Sequence, residues 1–166
     1  MRTTTLALAT AALVGLGLTA SPATAAPAET RTEKGIVLEC TGEAAGLSAY
    51  VNLYENDVYT NYLQVVLDDD PKRAASREPL DIWSAGEIRT SVRIAGKRAT
   101  VSGTATKAGG RKHVHEETDD AGAHIVSDGF HRRLANDLSL RYAGTTVRLT
   151  CAPAFFYKLD VTRTPL

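Results

Sequence analysis

The chain from Gly35 onward alternates between apolar and polar side chains over many short stretches. A period of two is the signature of strands that bury one face and expose the other. Glycine and Asx residues separate the stretches, which favours antiparallel neighbours joined by tight turns. The alternating stretches are 36–41, 47–53, 88–94, 99–106, 138–143, 147–151 and 155–162, and a run that is apolar on both faces covers 58–67.

Two dipeptides predict specific hairpin registers. Positions 96–97 and 144–145 each begin with glycine, and a Gly-X pair suits a type II′ turn between two strands. Each turn places apolar residues of one strand opposite apolar residues of the next, so register and buried face agree. The predicted cross-strand pairs include Ile94 with Ala99 and Leu140 with Leu149.

Consecutive hairpins predict an all-β fold, an antiparallel meander of about ten strands that closes as a β-barrel or folds as a β-sandwich. Cys40 and Cys151 are the two cysteines of the chain, and both fall on apolar strand faces. In an exported protein such a pair is most simply a disulfide. A bridge between them requires the two ends of the meander to meet.

The N-terminus predicts export. Arg2 precedes an apolar run over 6–18, which is too short to span a bilayer but suits a signal peptide. The small residues Ala23 and Ala25 form an Ala-x-Ala cleavage site, so we expect 1–25 to be a signal peptide. The polar stretch 26–34 is predicted to be a flexible tail, and 35–166 a single domain.

Charge and composition exclude some classes of function. Because Arg2 is the only charged residue before the predicted cut, the mature chain has 18 Lys and Arg against 19 Asp and Glu. A nucleic-acid-binding protein would need a strongly basic face, and a membrane span would need a second long apolar segment. We therefore expect a monomer that neither binds nucleic acid nor spans a membrane. The Ala- and Thr-rich export signal before a small β domain resembles secreted proteins of high-GC bacteria, a resemblance that implies no activity.

One segment offers metal-binding chemistry. His113, His115 and Glu117 are spaced by two, so they share one face if this segment is a strand. His124 joins that face only if the turn between the two strands has an even number of residues. Three imidazoles and a carboxylate on neighbouring strands would suit zinc or copper. The alternative is a polar hairpin whose solvated face happens to carry these residues.

Function is otherwise weakly marked in the sequence. Tyr50 and Tyr54 lie opposite an apolar face and form a candidate binding surface. The absence of nucleophile motifs favours a non-enzymatic extracellular module that binds a protein, a glycan or a small ligand. The alternatives are a metal-dependent hydrolase that uses the histidine segment and an inhibitor of an extracellular hydrolase. The inhibitor would need a protruding loop, for which 68–79 is the candidate.

Overall fold

The computed structural model describes residues 27–166, and all its strands belong to one antiparallel sheet. The predicted signal peptide lies outside the described residues. One short 3₁₀ turn, Pro71–Arg73, precedes the fourth strand. The strands are β1 (Glu29–Ala44), β2 (Leu47–Asn56), β3 (Tyr62–Leu67), β4 (Ala74–Arg77), β5 (Trp83–Ser84), β6 (Glu87–Ile94), β7 (Lys97–Asp120), β8 (Ala123–Tyr142) and β9 (Thr145–Pro165).

The sheet consists of two meanders joined side by side. Its order is β4-β3-β2-β1-β9-β8-β7-β6-β5, so the first and last strands are neighbours in the middle. Cys40 and Cys151 are paired across these two strands and form a disulfide. The sheet curls into a half-barrel, which brings β3 and β4 close to β6. The predicted all-β fold, the disulfide and the meeting of the two ends are confirmed.

Five connections use the same two-residue turn, Ala-Gly. Both residues have positive φ in each of them, for example 49° at Ala121 and 74° at Gly122. Positive φ at both central positions defines a type I′ turn, whose twist matches that of the flanking strands. The turns therefore lie one residue earlier than the Gly-X turns predicted from the sequence. The other four Ala-Gly turns are at 45–46, 85–86, 95–96 and 143–144.

This difference shifts two predicted registers without exchanging the faces. Ile94 lies opposite Lys97, and Val92 takes Ala99 as its partner. Leu140 lies opposite Val147 and not Leu149. Each register moves by two residues, and because strand side chains alternate with a period of two, the same residues remain buried.

Three β-bulges lie side by side across the four central strands. The register shifts between Leu38 and Cys40 in the β1–β9 pair, after Lys107 in the β7–β8 pair, and after Arg133 in the β8–β9 pair. Bulges bend and twist a sheet locally. They divide it into a body, which holds the half-barrel core, and a four-stranded extension that we call the arm. The arm comprises 29–37, 111–120, 123–133 and 155–165.

The core lies on the inner face of the curl. Its fully buried side chains include Leu38, Leu53, Ile88 and Leu140. The structure differs from the predicted elements in three places. Residues 29–34, expected to be a tail, belong to β1 and pair with β9. The segment lacks an apolar face because this part of the strand lies on the solvated arm. The strand expected over 58–67 begins at Tyr62, and the last two predicted strands form one continuous β9.

The segment 68–79, the candidate loop of the inhibitor hypothesis, contains the turn Pro71–Arg73 and the edge strand Ala74–Arg77. Its role in inhibition stays a prediction. Within residues 27–166, no helix has the length and apolar character needed to cross a membrane.

Removing the disulfide should weaken the junction of the two meanders. The bridge joins residues 111 positions apart, and constraining so long a loop in the unfolded chain stabilises the folded state by about 2–5 kcal/mol. We expect a variant with Cys40→Ala and Cys151→Ala to lose stability in this range. Urea denaturation followed by circular dichroism measures the change.

The adjacent exposed pair Thr41 and Thr150 provides a matched control on the same two strands. Replacing both by alanine should lower the free energy of unfolding by less than about 1 kcal/mol. Equal losses in the two double variants would contradict a specific role for the bridge.

Candidate functional site

Cationic and aromatic side chains meet where the arm leaves the body. The ammonium of Lys107 lies 3.5 Å from the centroid of the Phe156 ring and 5.4 Å from that of Trp83. The guanidinium carbon of Arg111 lies 4.4 Å from the centroid of Phe130. The two phenylalanine rings are themselves 6.3 Å apart, so the cations rest on one aromatic layer. Such contacts are attractive because a cation faces the negative side of the ring.

The charges of this cluster are not neutralised locally. Among residues 27–166, no carboxylate oxygen lies within 4.0 Å of the side-chain nitrogens of Lys107, Arg111 or Arg132. Arg132 uses Nε to donate a hydrogen bond to the carbonyl oxygen of Gly109 at 3.1 Å. Burial of the Lys107 ammonium against the rings lowers the pKa of that residue. The nearby charges of Arg132, Lys34 and Arg111 lower it further.

Beside the cluster is an open cavity of about 560 Å³. Lys107, Trp83 and Phe156 form one wall, and the opposite wall comes from the segments 55–61 and 80–81. Segment 55–61 follows the end of β2 in the first meander, whereas Lys107 and Phe156 lie on strands of the second, so the cavity lies between the two meanders.

Large apolar side chains project at the mouth of this cavity. Leu80 is 92% exposed and Tyr59 is 48% exposed, and both line it. The loop that carries Leu80 is held in place, because Asn61 Nδ2 donates a hydrogen bond to the Leu80 carbonyl oxygen at 2.6 Å. The carboxylate of Glu55 accepts hydrogen bonds from the backbone N–H groups of Ile82 and Trp83, which follow in the same loop. The exposure of Leu80 is therefore imposed by an ordered loop.

A buried polar network supports the other loop. The amide nitrogen of Asn56 lies 2.8 Å from the Tyr157 hydroxyl, 2.9 Å from the Tyr54 hydroxyl and 3.1 Å from a Glu33 carboxylate oxygen. Asn56 Oδ1 accepts hydrogen bonds from the backbone N–H groups of 58 and 59, which fixes the segment that carries Tyr59. Burial raises the pKa of Tyr157 far above its usual range.

Gly35 allows this network to form. A Cβ atom at Gly35 would lie 1.7 Å from the carbonyl oxygen of Glu55 and 2.8 Å from the Tyr157 hydroxyl. Only glycine permits the backbone and the tyrosine to approach this closely.

The histidine segment forms a chain of imidazoles and carboxylates on the inner face of the arm. The two-residue turn places His124 on the same face as His113, His115 and Glu117, opposite Asp119. The pairs are His113 Nε2 with Asp128 at 3.3 Å, His115 Nδ1 with Asp128 at 2.9 Å, His115 Nε2 with Glu117 at 3.1 Å, His124 Nδ1 with Asp119 at 2.7 Å, and His124 Nε2 with Glu117 at 3.8 Å.

Each imidazole in this chain is thus beside a carboxylate. The hydrogen bonds to Asp128 and Glu117 raise the pKa of His115, and the same contact lowers the pKa of Asp128. In the part of the chain that the structure describes, no three side chains of His, Cys, Asp or Glu are arranged to share a metal ion. Zinc or copper binding by His113, His115, His124 and Glu117 stays a prediction.

Tyr50 and Tyr54 are half-buried on the outer face of β2. Tyr54 stacks on Tyr157 with ring centroids 6.3 Å apart and belongs to the buried network, whereas Tyr50 lies four residues away along the strand. A shared binding surface of these two tyrosines also stays a prediction.

Sequence reasoning missed the cationic and aromatic cluster. Trp83, Lys107 and Phe156 are separated by 24 and 49 positions, and no motif connects them. The only local signal is Lys107, which follows the alternating apolar positions up to Ala105 and so places a charge where the next buried residue is expected.

Comparisons with known proteins add little to this picture. No protein-family model and no curated protein matches the chain. A crystal structure from Nitrosomonas europaea, provisionally described as AttH, is similar with a TM-score of 0.35 and 11% sequence identity. The alignment covers 82% of this chain and 52% of that protein, so this chain spans about half its length.

The pKa values of His115 and His131 should be shifted in opposite directions. Carboxylates raise the pKa of His115 above 6.5, whereas burial against Phe155 lowers that of His131 below 6.5. We expect Asp128→Asn to move the pKa of His115 back toward 6.5 and to leave His131 unchanged. Imidazole chemical shifts followed by NMR across pH 4–9 give both values. A His115 that titrates below His131 would contradict the pairing.

The two groups also have opposite linkage to stability. The contribution of His115 is present below pH 6.5 and is lost as the pH rises through its raised folded-state pKa. The contribution of neutral His131 is present above pH 6.5 and is lost as the pH falls toward its lowered folded-state pKa.

Proposed function

We propose that the protein is an exported, non-enzymatic binding module for an anionic ligand with a flat apolar portion. The observation that carries this proposal is a group of cations without carboxylate partners beside an open cavity: Lys107 and Arg111 lie on an aromatic layer, and Arg132 lies next to them. A local group of cations attracts a ligand of opposite charge.

The cations destabilise the folded protein unless an anion neutralises them. Partial burial and repulsion from the neighbouring cations lower the pKa of Lys107, so the folded protein disfavours the charged form of this lysine. An anion bound between Lys107 and Arg132 would reverse that effect through charge-assisted hydrogen bonds. The terminal nitrogens of Arg132 are free to donate to such an anion, because within the described residues only Nε forms a hydrogen bond.

The apolar part of the ligand is inferred from Trp83 and from the apolar side chains of the opposite wall. Trp83 contributes an indole whose Nε1 donates to the Ala105 carbonyl oxygen at 2.8 Å, which fixes the ring. Leu80 and Tyr59 add exposed apolar surface on loops held by hydrogen bonds. A fixed aromatic ring and ordered apolar side chains suit a planar group, and 560 Å³ is within the usual range for small-molecule sites.

Acidic residues near the cavity orient such a ligand. Glu55 accepts two backbone hydrogen bonds, and Asp57 accepts one from the Lys34 N–H and lies 3.5 Å from the Lys34 ammonium. Asp81 is exposed on the same side. The negative end of a ligand would therefore point toward the arm and its apolar end toward Leu80.

Export is the second part of the proposal. The disulfide is compatible with an oxidising compartment, and the sequence before residue 26 has the zones of a signal peptide. Binding of a ligand outside the cell agrees with a rigid, stapled scaffold.

The export prediction concerns the first residue of the secreted protein. When the full chain is expressed in an exporting bacterial host, the protein in the culture supernatant should begin at Ala26 or Pro27, because cleavage needs small residues at Ala23 and Ala25. N-terminal sequencing measures this. Ala25→Leu should leave uncleaved precursor, and an intact Met1 in the supernatant of the unmodified protein would contradict the prediction.

The ligand prediction uses 8-anilinonaphthalene-1-sulfonate, an aromatic anion, as the probe. Trp83 is the single tryptophan of the chain, so energy transfer from it to the probe reports on this site. We expect saturable binding near one equivalent. Lys107→Met and Arg132→Gln should each weaken it by about tenfold, equivalent to about 1.4 kcal/mol.

Two controls separate charge from general apolar binding. Lys97→Met removes an exposed lysine at the β6–β7 turn and should leave the affinity unchanged. N-phenyl-1-naphthylamine lacks the sulfonate and should bind more weakly, with no dependence on Lys107. Equal affinities for the two probes, or equal effects of Lys107→Met and Lys97→Met, would refute the anionic part of the proposal.

A further inference from the structure

The arm has a long free strand edge on β7. Strand β6 pairs with β7 only between Lys97 and Thr104, whereas β7 continues to Asp120. Within residues 27–166, the segment 111–120 therefore pairs with β8 on one side and with no strand on the other. Such an edge presents unpaired N–H and C=O groups and is a template for another strand.

The turn fixes which residues direct these groups outward. In a two-residue type I′ hairpin the residues that flank the turn, Asp120 and Ala123, form a hydrogen-bonded pair. The even-numbered residues of 112–120 consequently bond to β8. The odd-numbered residues of 111–119 direct their backbone groups to the free edge, and a second strand must match them.

The charges along this edge are self-complementary. Arg111 and Lys112 lie at one end, and Glu116 and Glu117 lie at the other. If two copies of the edge pair antiparallel with Val114 at the centre, Arg111 faces Glu117 and Lys112 faces Glu116, each twice. The odd residues then face odd residues, so the hydrogen-bonding condition is met in the same register.

Neighbouring registers match the charges less completely. Centring the pair on His115 keeps Arg111 opposite Asp119 but places Lys112 opposite Thr118 and Val114 opposite Glu116. Centring it on His113 places Arg111 opposite His115 and Lys112 opposite Val114. Charges of one sign would repel a second copy in every register, whereas this edge has opposite signs at equal distances from Val114.

The outer face of the arm supports the same partner. Val114, Ile125, Leu159 and Val161 are half-buried there, and Tyr59 lies beside Leu159 and Val161. Pairing about Val114 brings the two valines together and makes these apolar surfaces continuous. The contact is isologous, so it closes after two subunits.

We infer that the β7 edge of the arm is a homodimer interface, in which two copies pair antiparallel about Val114 into an eight-stranded arm. This differs from the monomer expected from the sequence. It shares Arg111 with the proposed ligand site, but the tests below change Lys112, Val114 and Glu116, which do not belong to that site.

The first test is a charge exchange followed by sedimentation equilibrium. The full mature protein should be a dimer that dissociates about tenfold more readily with Lys112→Glu, which places two acidic residues opposite each other. Adding Glu116→Lys should restore the dimer. Within one chain these residues are four apart, about 13 Å, so the rescue requires contact between chains.

The second test fixes the register by cross-linking. Val114 is in a non-hydrogen-bonded position opposite its own copy, where Cβ atoms are about 4.5–5.5 Å apart. Val114→Cys should form an intermolecular disulfide under mild oxidation. Glu116→Cys is the matched control, because its own copy would be about 13 Å away, and it should not.

Several results would overturn the inference. A protein that stays monomeric up to about 1 mM has no such interface. Open-ended oligomers without the Val114→Cys cross-link would indicate head-to-tail pairing with the free edge of β1 at 29–34 instead. A double charge variant that remains as dissociated as Lys112→Glu alone would show that Lys112 and Glu116 do not meet.

Discussion

The pairing of β1 with β9 is the interaction on which the rest of the structure depends. Without it, β1–β4 and β5–β9 would be two separate meanders, each with one face exposed. The pairing makes one sheet that is wide enough to curl over its own apolar face. The disulfide between Cys40 and Cys151 lies on this ladder, at the level where the bulges begin.

The aligned bulges explain why one sheet has two characters. In the body the inner face is apolar and buried, because the curl brings β3 and β4 opposite β6. Beyond the bulges the same face continues as solvated rows of cations, imidazoles and carboxylates. The border between them is where Lys107 and Phe156 meet, so an aromatic layer and unneutralised charge occur together. The proposed ligand site lies at this border.

Alternation predicted most of the fold, since burial of one strand face is a local property of the sequence. The sequence predicts the turns one residue late because alanine rarely adopts a positive φ, and Ala95 and Ala143 both adopt it. The position of His124 depended on the parity of one turn, which the sequence left open. The cationic and aromatic cluster could not be predicted, because Trp83, Lys107 and Phe156 lie on three strands far apart in the sequence and meet only in the curled sheet.

The five Ala-Gly turns have a consequence for how the chain folds. A hairpin joined by two residues closes a minimal loop, and such hairpins form in about 1–10 μs. Docking of β1 on β9 must bring together segments more than a hundred residues apart, which makes it the slow, non-local step. Until it occurs, the hairpins of each meander have formed, but the long edges of β1 and β9 remain unpaired. The period in which the chain is most prone to aggregate thus begins after its hairpins have formed and ends when its termini meet.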